Sequence, residues 1–152
     1  AALIGKASAR GGASAITASG TYWLSAPPMA AALATLDVLA ANGHAALRHM
    51  QAMGLRLRRG LEQQAACRGI AVAVTGPDAM PFLTFAADDA TPSLRPIAQA
   101  WCAEAAEGGV WLHPFHNWYL TAAHTDRDID ETLVATEAAF DTCLPALEAA
   151  TL

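Results

Sequence analysis

The chain has 152 residues, 54% of them hydrophobic and 15% charged, with a formal net charge of -5. That is enough apolar material for one domain with a core, and it excludes a disordered chain. Nine basic residues against fourteen acidic ones argue against nucleic-acid binding, which needs a basic face. No apolar run is expected to reach membrane-span length, and no secretory leader is visible.

Residues 1–5, Ala1-Ala2-Leu3-Ile4-Gly5, read as a buried strand. The strand opens abruptly and without an initiator methionine, which suggests a fragment. Residues 6–27 are rich in Gly, Ser, Ala and Thr and read as a long loop. Within it, Ser19-Gly20-Thr21-Tyr22-Trp23 is a polar turn that empties into a helix. Small residues, hydroxyls and backbone N–H groups at such a start suit an anion, most often a phosphate. Most loops of this composition are only caps and turns.

From Pro28 the pattern is helical, with Pro28 in the first turn. Leu33, Leu36 and Leu39 form an apolar edge, and Asn42-Gly43 is expected to end this helix. A second helix follows, with Leu47, Met50, Gly54, Leu57 and Leu61 on one face. Gly54 in that face permits close packing at a small cost in helix propensity. Five of the nine basic residues lie between Arg48 and Arg68, and they read as the wet side of this helix. Gly69 closes it. Ile70 to Thr75 and Met80 to Ala86 read as strands of a hairpin, joined by the turn Gly76-Pro77-Asp78.

Ser93 is expected to cap a third helix with Ile97, Trp101 and Ala105 toward the core, and Gly108-Gly109 stops it. Val110 to His113 and Trp118 to Ala122 read as two short strands around a turn. Thr125, with Asp126 and Asp128 in the first turn, starts the last helix. Ile129, Leu133, Thr136, Phe140, Leu144 and Leu147 line its buried side, and Pro145 is expected to end or kink it. From about residue 43 the order suits a two-layer α+β unit, a small antiparallel sheet with helices on one face.

Few groups carry chemistry. Cys67, Cys102 and Cys143 lack metal spacing and read as reduced thiols, consistent with a cytoplasmic protein. His113, His116 and His124 cluster near Asp126 and Asp128. Their spacing lacks the helical geometry of a zinc motif, so structural or pocket-lining histidines are the simpler reading and no metal ligand is assigned. Trp111, Phe115, Trp118 and Tyr119 crowd the same segment and could wall a pocket for an apolar substrate.

Two segments, read in order, resemble a known family. The first joins Ala2-Leu3-Ile4-Gly5-Lys6, Ser19-Gly20-Thr21-Tyr22-Trp23 and Ala30-Ala31-Ala32-Leu33-Ala34-Thr35-Leu36. The second joins Gly109-Val110-Trp111-Leu112-His113-Pro114 to the run from Leu120 to Leu133, which carries Ala123-His124-Thr125-Asp126. From residue 1 to about 142 the chain resembles the C-terminal part of class III pyridoxal-phosphate aminotransferases, most nearly the glutamate-1-semialdehyde 2,1-aminomutase branch. The resemblance implies a fold-type I (α/β) parent enzyme, a homodimer whose lysine forms a Schiff base with pyridoxal phosphate. It matches Gly20 and Thr21 to the pair that holds the cofactor phosphate in the neighbouring subunit's site.

The Schiff-base lysine of that family precedes the strand at residues 1–5, so the chain lacks it. Lys6 matches a basic position after the strand, and no catalytic residue is assigned. The expectation is a fragment, inactive alone, of a parent that moves an amino group on an amino acid or amino ketone. Its large-domain remnant and connecting helix would span residues 1–42 and its C-terminal small domain residues 43–152. Trp23, His113, His116 and Trp118 are the candidate substrate-pocket residues. The late strand, Trp118 to Ala122, lacks the arginine with which many class III enzymes hold a substrate carboxylate. An amino ketone, a β-amino acid or an aromatic amine therefore fits better. The competing readings are a non-catalytic α+β interaction module and, on the histidines alone, a metal-dependent hydrolase.

Overall fold

The computed structural model describes residues 25–85 and 94–150. The expected strand at residues 1–5, the loop with Gly20, Thr21 and Trp23, and the Ser93 cap lie outside the described residues. The chain divides into two units, Ala1–Ala41 and Asn42–Leu152.

Helix α1 spans Ala26–Cys67. The expected stop at Asn42-Gly43 takes the form of a left-handed step within it. Asn42, Gly43 and His44 have φ of 51°, 62° and 64°, far from the helical value near -63°. Asn and Gly are the residues that tolerate this conformation best. In the first unit Leu33 and Leu36 of the apolar edge are exposed. The membrane expectation needs correcting. By length and composition α1 could cross a bilayer, because its many alanines raise hydropathy without supplying bulk.

The second unit is a small helix-rich domain with a two-stranded antiparallel sheet. Strands β1 (Val72–Thr75) and β2 (Phe82–Phe85) pair in the register Val72↔Phe85 and Val74↔Leu83. Val74, Leu83 and Phe85 turn inward. Helix α2 (Arg95–Glu107) packs on α3 (Asp126–Ala150). Pro96 in its first turn needs no N–H partner there, and Gly108 caps its end. The core joins Leu57, Leu61 and Ala65 of α1 to Trp101 and Ala105 of α2, and to Ile129, Ala139 and Phe140 of α3. Ile97 is only partly buried, and Cys102 takes a core place beside Trp101. All three cysteines are free thiols, and burial pushes the Cys102 thiol up to about 11.

Three expectations are corrected. Val110 to His113 and Trp118 to Ala122 form no strands among the described residues. Trp118 N–H donates to Pro81 O and Leu120 N–H to Ala79 O, both at 2.9 Å. The chain thus lies beside the residues before β2 without building a ladder. Pro81 and Pro114 have no N–H to extend one. Of the two outcomes expected at Pro145, an end is overturned, since α3 continues to Ala150. Arg48 and Arg59 of α1 are exposed as a wet face would be, but Arg56, Arg58 and Arg68 are tethers. Arg56 binds Asp126 and Asp130 of α3, each at 2.6 Å. Arg68 binds Asp141 at 2.6 Å. Arg58 donates to Val74 O and to Gly76 O, holding the hairpin.

The start of α3 is fixed by a reciprocal box. Thr125 N–H and its hydroxyl both donate to Asp128 Oδ2 at 2.7 Å, while Asp128 N–H donates to Thr125 Oγ1 at 3.3 Å. The Thr125 hydroxyl, then the Thr125 N–H, hold the Asp128 carboxyl below the usual carboxylate range. A depressed native value contributes stability above the unfolded carboxylate value and loses it as pH falls through the native one. Asp128→Asn should therefore destabilise at neutral pH, and its difference from the wild type should close on acidification. Urea melts along a pH series test this, and a gap that stays constant into acid would refute it.

Candidate functional site

The segment from Gly109 to His124 crosses from α2 to α3, and its side chains wall a groove of about 630 Å³. Leu57 of α1 and Asp128, Ile129 and Thr132 of α3 close it from the other side. Leu112 and Leu120 are buried and pin the segment to the core. Between them lies a turn whose groups are bonded locally. Phe115 N–H donates to His113 Nδ1 at 3.1 Å. Trp118 Nε1–H donates to His113 O at 3.0 Å. His116 Nδ1 lies 2.9 Å from Asn117 O, and since a carbonyl only accepts, that nitrogen carries the proton.

The turn is stiffened by rings. His113 meets His116 edge to face at 6.0 Å, and His116 meets Tyr119 at 6.1 Å. Trp118 stacks on buried Trp101 at 6.2 Å. Phe115 takes a different course from the one expected of it. Its ring faces away from the groove, beneath the Arg95 guanidinium at 4.4 Å, and it lines a smaller hollow beside β2.

Of the sequence-predicted pocket residues, His113, His116 and Trp118 line this groove together, while Trp23 lies outside the described residues. His124, noted in the sequence only as one of a cluster, lines it too. Its Nδ1 accepts Thr121 N–H at 2.9 Å, and its carbonyl accepts from His49 Nε2–H at 2.7 Å. Sequence reasoning missed the far wall, Leu57 with Ile129 and Thr132. The Thr125–Asp128 box was the available signal, because it fixes where α3 begins. Among the described residues no group of His, Cys, Asp or Glu is placed to hold a metal ion.

Among the described residues no arginine or lysine lines the groove. Its carboxylates are engaged, Asp128 in the cap and Glu131 with Arg127 at 2.7 Å. Apolar and aromatic walls with a few neutral polar groups suit a small organic ligand. Among the described residues lining the groove there is no lysine that could form a Schiff base.

No protein-family profile matches the chain. It is 44% identical over 143 residues to an aminopentol aminotransferase of Sphingopyxis macrogoltabida, covering 94% of this chain and 32% of that protein. It is 33% identical over 118 residues to a glutamate-1-semialdehyde 2,1-aminomutase of Thermus thermophilus, covering 70% and 27%. Among solved structures, the PLP internal aldimine form of the FumI protein of Sphingopyxis sp. MTA144 superposes with a TM-score of 0.72 at 42% identity. That match covers 89% of this chain and 31% of FumI. A transaminase with PLP bound shares the fold, with a TM-score of 0.71 at 17% identity, over 88% of this chain and 31% of its own. The chain thus spans about a third of the length of the curated relatives it matches.

Proposed function

We propose, from homologues that are pyridoxal-phosphate-dependent aminotransferases and aminomutases matched only over their C-terminal part, that this chain is the substrate-closing portion of such an enzyme. The parent moves an amino group on an amino acid or amino ketone, with pyridoxal phosphate as cofactor. The chain alone is inactive, because the Schiff-base lysine belongs to sequence preceding it. Residues 1–42 are the end of the large domain with its connecting helix, and residues 43–152 form the small domain. Gly20 and Thr21 hold the cofactor phosphate across a homodimer interface. The three free thiols accord with a cytoplasmic setting.

The observation that carries this reading is the 44% identity that runs over nearly the whole chain to an aminotransferase. The groove adds the chain's own contribution. His113, His116 and Trp118 wall the substrate, and Trp23 is kept as a pocket candidate from the sequence alone. Among the described residues the groove has no arginine to clamp a carboxylate, which favours an amino ketone, a β-amino acid or an aromatic amine over a plain α-amino acid.

The test compares the chain with its intact parent. The purified chain, mixed with pyridoxal phosphate and dialysed, should keep no cofactor absorbance and turn over no amine. The parent should do both. Turnover by the chain alone would refute the assignment of the lysine. A parent without cofactor or turnover would leave the non-catalytic interaction module as the better reading. Best activity of the parent on ornithine or 4-aminobutyrate would refute the substrate preference.

A further inference from the structure

We propose that His113 and His116 form a subsite of the groove that reads neutral hydroxyl groups of the bound substrate, one histidine as donor and the other as acceptor. This deepens the aminotransferase reading and rests on it only in treating the groove as a substrate wall. The two rings stand edge to face with centroids 6.0 Å apart, and both line the same groove. Local hydrogen bonds set their tautomers in opposite senses. His113 Nδ1 accepts the Phe115 N–H, so the neutral ring carries its proton on Nε2. His116 Nδ1 donates to Asn117 O, so its Nε2 keeps a lone pair. The subsite therefore offers one donor and one acceptor.

A carboxylate only accepts and would meet the His116 lone pair. An ammonium only donates and would meet the His113 N–H. A hydroxyl, or a neighbouring pair of them, satisfies both nitrogens at once. The surrounding charges do not alter this pairing. Asp128 is engaged in its cap, Glu131 is held by Arg127, and among the described residues neither arginine nor lysine lines the groove. A substrate group that matches only one of the two nitrogens forgoes the second hydrogen bond, which is how such a pair discriminates.

Long-range proton–nitrogen NMR on the chain, in mildly alkaline buffer, reads the tautomers directly. The expected result is a proton on Nε2 of His113 and on Nδ1 of His116. The same tautomer in both rings would overturn the proposal. Titration with octane-1,2-diol should shift the Nε2 resonances of both rings, and octanoate at equal concentration should not. No shift from the diol, or an equal shift from octanoate, would overturn it as well. In the intact parent, the ratio of kcat/KM for a hydroxylated alkylamine to that for the plain alkylamine of equal length is the second readout. His113→Phe and His116→Phe should each lower that ratio roughly tenfold, and an unchanged ratio sinks the subsite. A parent that transaminates no amine would refute the aminotransferase reading, and the diol titration would still decide the subsite by itself.

Discussion

Gly54→Ala should destabilise the domain by about 3 kcal/mol or more, the upper end of overpacking costs. In an exposed helix the same change would stabilise by roughly 1 kcal/mol, because alanine is the better helix former. The sign reverses here because of what faces Gly54. A Cβ at that position would lie 1.7 Å from the Asp78 carbonyl oxygen and 2.5 Å from its carbon. Those are backbone atoms, and the hairpin turn that carries them is held in place. Arg58, one turn further along α1, donates to Gly76 O at 2.6 Å and reaches Asp78 Oδ1 at 3.6 Å. The turn cannot retreat without breaking those bonds. Gly60→Ala is the contrasting variant, since its Cβ would meet side-chain rather than backbone atoms, Leu133 Cδ2 at 2.4 Å, Cδ1 at 2.6 Å and Cγ at 3.1 Å. Urea denaturation of both variants tests the contrast, and a Gly54→Ala protein as stable as Gly60→Ala would refute it.

Trp101→Ala should cost about 3–5 kcal/mol, as large-to-small changes at buried aromatic positions do. Trp101 is only 1% exposed and touches three other rings: Phe85 at 6.1 Å, Phe140 at 5.2 Å and Trp118 at 6.2 Å. Trp101→Phe should be much milder, about 1–2 kcal/mol. The Trp101 Nε1–H has no hydrogen-bond partner among the described residues. Phenylalanine therefore removes a buried unsatisfied donor along with the lost bulk, and the two effects offset. Calorimetric unfolding of the two variants measures the difference. Equal losses would mean that the indole nitrogen finds a partner after all.

Helix positions were legible because their apolar residues recur at helical spacing and their ends carry chemical signs. Thr125 with Asp128, Gly108 after Glu107 and the Gly76-Pro77-Asp78 turn each stand where the sequence puts them. The segment from Val110 to Ala122 was misread for a physical reason. Leu112 and Leu120 are buried as strand residues would be, but burial there comes from anchoring an irregular turn, and two prolines deny it a ladder. Arg56, Arg58 and Arg68 of α1 were misread because composition cannot tell a solvated guanidinium from one that reaches a carboxylate or carbonyl across the fold. The groove was half legible. Its histidines and tryptophan crowd one stretch of sequence, whereas Leu57 lies 56 residues before His113 and joins them only once α1 and α3 pack together. The phosphate role proposed for Gly20 and Thr21 came from the loop's composition and then from the resemblance, and both residues lie outside the described residues.

The stack of Trp118 on Trp101 has a consequence for how substrate preference in this groove could change. The wall that a ligand touches is continuous with rings that no ligand touches. A ligand entering such a wall has few rotamers to freeze, so binding there begins with part of its entropic cost already removed. The shape of the groove is thereby also written into the core. On the proposed function, substitutions at Phe140 or Trp101, which do not line the groove, would tilt Trp118 and alter which substrates are accepted. A search for new specificities in this domain should therefore include its interior.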